Sequence, residues 1–427
     1  MGFRGALALW RQPRWRLGLG GLLVILVAAA LVAAFAAASP PSVSARDRGW
    51  RRDIAYLTRT LPKVRIDGLG SARRPAWNAA AARLSAQVPR LTNGQVIVGL
   101  LRMVAMLHDD ETVFDPLPAP FYAIDVHWLG SHLYLLTVPS SDRQLLGAEL
   151  VSIDGHPIGA VLGALRLEID YQDVGVLRFE EAQQVNDANL LYWLGLTRSP
   201  ASAAFTVRTT AGTLQTVQLG ANRVLAGHRT ALPPLVAVPA ALYERDGALP
   251  YWMLILSSDH AVYLKYNQCL DGDGFQRLAV RALAELRRYP SYRLIVDLRG
   301  NGGGDTTPFA TLISGIRADP VINKRGRIFG LIDPGTDSSA TYDAFELGRD
   351  THAILMGQQV EDPIDEYGND NFSFRLPYSG LVLQYTTKIV NPTKRAFGTP
   401  DVVVAPTLHQ VLDGTDPVLQ AALTYSP

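Results

Sequence analysis

The sequence predicts an α/β protein whose C-terminal half holds a mostly parallel sheet, preceded by a helical unit, a β-rich unit and one apolar N-terminal helix. Three observations predict it. From about residue 250 onward strand-like runs alternate with helical ones, the order that builds a parallel sheet. Between about 120 and 222 the runs are short, alternate apolar with polar, and are bounded by Gly, Pro, Asn and Asp, as strands are. At the N-terminus a long uncharged run stands apart from the rest. The 427 residues give room for two or three folded units at roughly 150 residues each. With 48% hydrophobic and 19% charged residues, the composition excludes a disordered chain.

The elements follow in chain order, with boundaries expected at 1–45, 46–122, 123–222 and 223–427. Leu17 to Ala38 is uncharged and, as a helix, would extend roughly 33 Å, enough to span a hydrocarbon core. Arg4, Arg11, Arg14 and Arg16 lie only on its N-terminal side, which places the first residues in the cytoplasm and the body across the membrane. The segment reads either as a retained single-pass anchor or as a secretory signal cleaved near Val43-Ser44-Ala45. In both cases the body is exported.

Residues 50 to 110 show helical spacing, with Trp77, Ala81 and Leu84 and then Val96, Val98, Leu100, Leu101, Val104 and Leu107, interrupted at Leu61-Pro62 and 91–94. Strands are expected at 132–138, 148–155, 204–210 and 213–220, with helices over Ile158–Arg166 and Phe179–Leu194. In the C-terminal half, strands are expected at 251–257, 261–266, 292–298, 327–332 and 352–357. The helices between them are expected over Gly274–Arg288, Pro308–Ile316 and Ser339–Leu347.

Charge and cysteine content exclude several functions. Forty basic residues against thirty-nine acidic give +1, and four of the arginines precede the apolar run, so a phosphate-facing basic surface for nucleic acid is not expected. One cysteine, Cys269, forms no intrachain disulfide and offers no zinc or iron–sulfur cluster. No cofactor and no metal are expected.

Two segments carry chemistry. In Leu294-Ile-Val-Asp-Leu-Arg-Gly-Asn-Gly-Gly-Gly304 a buried strand runs into a glycine turn, whose backbone can approach a ligand closely and aim N–H groups at negative charge. A phosphate or an oxyanion would suit it. It lacks both the Gly-Lys-Ser/Thr of a P-loop and the GxGxxG register of a dinucleotide fold. The second segment, Leu331-Ile-Asp-Pro-Gly-Thr-Asp-Ser-Ser-Ala340, places serines at a helix start. There the helix dipole favours an alkoxide-like nucleophile, although a serine at this place also serves as a plain cap.

Together the two segments resemble the tail-specific, or C-terminal-processing, serine proteases and their tricorn-like relatives, in which D-L-R-x-N-x-G-G is followed by T/S-x-S-A. Val262 to Cys269, Leu355-Met-Gly357, Tyr367-Gly368, Phe374 to Leu381, Tyr385 to Lys388 and Pro400-Asp401 extend the resemblance. Leu146-Gly-Ala-Glu-Leu-Val-Ser-Ile-Asp-Gly155 resembles a PDZ-type insert, with Leu146 and Gly147 as peptide-binding residues. The resemblance implies a ClpP/crotonase-like core in a bacterial envelope, a PDZ-like domain and a polypeptide substrate. It implies Ser339 as nucleophile and backbone N–H groups of Gly302, Gly303 and Ala340 as the oxyanion hole.

The base positions depart from the family. Gly357-Gln-Gln-Val-Glu-Asp-Pro363 lacks the lysine of one branch. The D-G-H-T of the other is Asp109-Asp110-Glu111-Thr112, putting Glu111 at the histidine position, and N-H-Y-G is Asp365-Glu366-Tyr367-Gly368. A carboxylate of ordinary pKa near 4.3 suits serine activation at neutral pH only if its pKa is raised, as by a neighbouring carboxylate such as Asp365 or Glu366. His108, three residues before Glu111, is another candidate base, and Lys265 and Lys388 are further ones. Three readings follow: an exported serine peptidase, a catalytically impaired relative that binds exported polypeptides, and a metal-assisted hydrolase or acid-pair enzyme using His108, Asp109, Glu111, Asp365 and Glu366.

Overall fold

The computed structural model describes residues 43–115, 120–222, 224–225, 228–229, 235–270, 272–363, 367–391 and 396–426. The apolar segment at 17–38 lies outside them, and no helix among the described residues is long and apolar enough to cross a membrane. The described residues divide into two compact units, one holding those from 43 to 237 together with 367–391 and the other 238–363 together with 396–426. The pattern of the sequence had put the last boundary at 223, with everything after it in one core.

The first unit begins with three helices, α1 (Val43–Val64), α2 (Gly70–Gln87) and α3 (Asn93–Ala105). Pro62 does not stop α1, which continues to Val64, because in the last turn a proline removes one hydrogen bond without blocking a following helix. Thr92 starts α3 through a reciprocal box, its Oγ1 accepting from Gln95 N at 3.2 Å while its own N–H donates to Gln95 Oε1 at 3.0 Å. Trp50, Leu57, Trp77, Leu84 and Leu100 form the helical core.

Leu376, Leu381 and Leu383 complete that core. The buried Asp53 carboxylate fixes their segment by accepting from the N–H groups of Tyr378 and Ser379, both at 2.7 Å. Residues 367–391 therefore belong with helices more than 250 positions earlier, because their apolar side chains are buried there.

Strands β1 (Asp125–Leu129), β2 (His132–Pro139) and β3 (Glu149–Ile153) are followed by α4 (Ile158–Leu165), α5 (Val174–Gln184) and α6 (Ala188–Trp193), then β4 (Ser202–Arg208) and β5 (Leu214–Asn222). The sheet is antiparallel in the order β5, β4, β3, β2, with β1 also on β2. The single helix expected over Phe179–Leu194 is two. Asp187 breaks it by capping α6, its Oδ1 accepting from Leu190 N at 2.8 Å.

Glu168 in this unit carries a pH-dependent weakness. Its side chain is 1% exposed and pairs at 2.6 Å with Arg102, which is 48% exposed, while Glu168 Oε2 has no partner. Burial pushes its pKa up to about 7 against the pull of Arg102. The folded chain keeps a proton that the unfolded chain releases near pH 4.5. This contribution to stability is complete below that pH and is lost as pH rises through about 7. Glu168→Gln is expected to flatten the fall in Tm between about pH 5 and 8, read by thermal scans of both proteins. An unchanged slope would refute the assignment.

The second unit is built on six strands: β6 (Tyr251–Leu256), β7 (Ala261–Tyr266), β8 (Arg293–Asp297), β9 (Ile328–Ile332), β10 (Ile354–Gly357) and β11 (Val402–Val403). They lie in chain order, β6 antiparallel to β7 and every later pair parallel. Helices α7 (Gly272–Arg288), α8 (Phe309–Arg317) and α9 (Ser339–Asp350) make the crossovers, and α10 (Pro417–Thr424) closes the chain.

Side-chain parity sorts the layers. Val262, Leu264, Leu294, Val296 and Ile328 face α7, α8 and α9 through Phe275, Leu283, Phe309, Leu312, Ala344 and Leu347. Tyr263, Ile295, Phe329 and Ile354 face α10 through Val418, Leu419 and Ala422. Both faces are covered, so these strands read as continuous apolar runs.

Candidate active site

The site is built where β8 and β9 end. Parallel neighbours in register from Leu294↔Ile328 to Asp297↔Leu331 finish on the same edge of a sheet, so both strand-to-helix turns emerge side by side. The first turn is braced from beneath. Asp297, fully buried, accepts from Arg299 Nε and Nη2 at 3.0 and 2.6 Å and from Tyr263 OH at 2.7 Å. Arg299 also forks onto Asp416 at 2.9 and 2.7 Å and stacks over the Tyr243 ring at 3.9 Å. Burial alone would raise the Asp297 pKa, but Arg299 and Lys265 hold it below the ordinary carboxylate range.

Lys265 belongs to this brace. Its buried ammonium donates to the carbonyls of Asp297 and Arg299 at 3.3 and 2.5 Å, and burial lowers its pKa to about 8. Two of its three donors are thus spent on the backbone of the turn. Lys388, the other lysine considered as a base, pairs with Asp370 in the first unit at 2.8 Å.

Asp333 and Asn301 join the two turns. Asp333 Oδ1 accepts from Gly300 N at 2.9 Å and Gly335 N at 3.0 Å, Asp337 N donates to Asn301 O at 2.9 Å, and Thr336 Oγ1 donates to Leu298 O at 3.0 Å. Gly303 has φ +89°, and a Cβ placed on it would lie 2.8 Å from Ser338 Cβ and 2.9 Å from Ser339 N. Only glycine permits that approach. The glycine turn and the serine turn therefore meet, and Gly302, Gly303, Ser338, Ser339 and Ala340 share one corner of the second unit.

Within the corner, hydrogen bonding separates the residues. Ser339 Oγ donates to Gly304 O at 2.8 Å. Gly303 N donates to Asn301 Oδ1 at 2.9 Å and Ala340 N to Asp337 O at 3.0 Å. The N–H groups of Gly302 and Ser339 have no protein partner among the described residues. Ser338 occupies the N-cap of α9 at φ 51°, ψ −126°, and its side chain makes no capping bond. Beneath the corner, Cys269 Sγ lies 3.4 Å from Asp343 Oδ2, and burial raises the pKa of both.

The other expected site residues belong to the first unit or lie outside the described residues. Glu111 and His108 are in the first unit. His108, exposed at φ 51°, approaches Tyr171 O with Nδ1 at 3.3 Å and sets its ring edge against the Tyr171 ring. Glu111 N donates to Asp109 Oδ1 at 3.0 Å. Asp109 itself is buried and accepts from Arg65 at 2.8 Å, Thr112 at 2.6 Å and Thr386 at 2.5 Å. Its carboxylate is thereby committed to holding the loop. Asp365 and Glu366 lie outside the described residues. Among those residues no group of three or more His, Cys, Asp or Glu is placed to hold a metal ion.

Leu146 and Gly147 form a corner before β3 at which Leu146 N donates to Arg143 O at 3.1 Å and Gly147 N to Leu135 O at 2.7 Å. A peptide carboxylate there would have to displace bonds of the fold. Sequence reasoning missed Asn301 and Asp333 as organisers of the corner, since an Asn or Asp in a turn has many local uses. It selected Ser339 by resemblance and otherwise saw in a serine at the helix start a plain cap.

No family model and no curated protein matches this sequence. Among solved structures, mature CPAF complexed with lactacystin is similar over 88% of this chain and 98% of that chain, with a TM-score of 0.63 and 13% identity. A CPAF mutant matches over 89% and 99%, with a TM-score of 0.60 and 11% identity. The photosystem II D1 C-terminal processing protease matches over 86% and 98%, with a TM-score of 0.41 and 13% identity. The structural neighbours are tail-specific proteases, and at these identities the likeness is one of fold.

Proposed function

We propose that this chain is an exported serine-type peptidase that cleaves polypeptides through an acyl-enzyme formed at the 337–340 corner. The observation that carries the reading is the meeting of Gly303 with Ser338 and Ser339, on a fold shared with CPAF over most of both chains. A serine oxygen there attacks the scissile carbonyl carbon and the π pair moves to the carbonyl oxygen, where unpaired backbone N–H groups receive it. Collapse expels the amine, which takes the proton, and water then hydrolyses the ester. The segment at 17–38 exports or anchors the body.

Full-length protein is expected to react with a fluorophosphonate and to cleave an unfolded polypeptide over part of roughly pH 5 to 9. Lactacystin, with which mature CPAF was complexed, serves as a competing probe. Absence of an adduct on folded protein would overturn the proposal. Proton transfer falls, by the sequence resemblance, to Glu111, with His108, Asp365 and Glu366 the other candidates. Glu111→Gln is expected to lower kcat/KM by about 100-fold or more, and Glu111→His to raise it at neutral pH. Wild-type rates in both variants would remove Glu111 from the reaction.

A further inference from the structure

We propose that the nucleophile at this corner is Ser338, the residue before the one that the sequence resemblance selects. The inference rests on the serine-peptidase reading and decides which hydroxyl carries it. A nucleophilic serine must keep its hydroxyl available to a base and its oxygen available to a carbonyl carbon. Ser339 gives its proton to Gly304 O at 2.8 Å. Ser338 Oγ has no hydrogen-bond partner among the described residues.

Its backbone explains why. An N-cap serine normally adopts an extended conformation and accepts from the second or third helical N–H. Ser338 is instead at φ 51°, ψ −126°. Backbone oxygens take over the cap, Ala340 N donating to Asp337 O at 3.0 Å and Thr341 N to Ser338 O at 2.9 Å. The strained turn thus relieves the hydroxyl of its ordinary task. A sharp strand-to-helix turn that presents a serine in this way is a recurring device for exposing a nucleophile.

The N–H groups agree. In such turns one oxyanion donor is the amide of the residue after the nucleophile. For Ser339 that residue is Ala340, whose N–H is bonded to Asp337 O; for Ser338 it is Ser339, whose N–H has no protein partner among the described residues. Ser339 N also lies beside Gly303, at 2.9 Å from the position a Cβ would take there, and Gly302 N next to it is likewise unpaired. Among the described residues, two donors in the turns that meet here, Gly302 N and Ser339 N, therefore have no protein partner, whereas Gly303 and Ala340, which the resemblance had named with Gly302, are spent. Ser339 acts through its amide and fixes the turn with its hydroxyl.

The test is the position of the adduct. In the reaction with a fluorophosphonate, Ser338 Oγ loses its proton to a base, the Oγ–P bond forms and fluoride leaves. Fragmentation of the labelled peptide between residues 338 and 339 is expected to place the phosphonyl mass on Ser338. Mass on Ser339 overturns this inference and leaves the peptidase reading standing; no adduct on folded wild-type protein overturns both. Ser338→Gly gives a second readout. It is expected to abolish labelling while Tm rises by about 2–4 °C, because glycine relieves the positive φ. A Ser338→Gly protein that is labelled as fast as wild type would also reject the assignment.

Discussion

Gly303→Ala is expected to reduce covalent labelling and peptide cleavage by about 100-fold or more while most of the fold survives. The added methyl would need to sit 2.8 Å from Ser338 Cβ and 2.9 Å from Ser339 N, against a turn of backbone that cannot rotate aside. Relief requires the two turns to separate by about 1 Å, and a misplacement of that size at a reacting group costs about 100-fold in rate. The positive φ of 89° adds a backbone penalty of about 1–2 kcal/mol.

Gly155→Ala separates collision from strain. Gly155 has φ +85° but nothing within 4 Å of its added Cβ, so it is expected to lose a similar stability and keep its labelling rate. Tm and labelling rates of the two variants check the comparison. Full activity in Gly303→Ala would mean that the close approach of the turns has no part in catalysis.

The second large effect is on stability. Arg299→Ala is expected to destabilise the second unit by about 3–5 kcal/mol, the cost of leaving buried carboxylates without their partner. Asp297 is fully buried and Asp416 has a side chain only 8% exposed; both depend on the same guanidinium. In a unit of this size that corresponds to a fall in Tm of roughly 6–20 °C, measurable by calorimetry on the full chain. Arg299→Lys should recover little, since an ammonium cannot fork onto two carboxylates and stack on Tyr243 at once.

The Asp297 pKa is depressed in the folded state. Its contribution is therefore present above the unfolded value near 3.9 and is lost as pH falls through the lower folded one. An Arg299→Ala protein within about 1 kcal/mol of wild type would show that the brace is dispensable.

That second result bears on how the Asp-Leu-Arg motif is understood. The sequence suggests chemistry because the three residues precede a glycine turn. In the structure their charged groups point beneath it, into a network with Tyr263, Lys265 and Asp416. The motif aims the turn, and the reacting atoms belong to its neighbours.

Much of the architecture could be read directly from the chain. Strands at 261–266, 293–297 and 328–332 and the helices between them follow from short-range periodicity, because burial on two faces imposes a continuous apolar run and burial on one stripe imposes a 3.6-residue repeat. So did the existence of two strand-to-helix corners. Tertiary structure alone decided that residues 367–391 join the N-terminal helices, and that the helix expected over Phe179–Leu194 breaks at Asp187. It also decided which of two adjacent serines keeps a free hydroxyl. That depends on Gly304 O, Asp337 O and the φ of one residue. Periodicity records which side of an element is buried, whereas a hydroxyl's availability is set by partners that only folding brings within 3 Å.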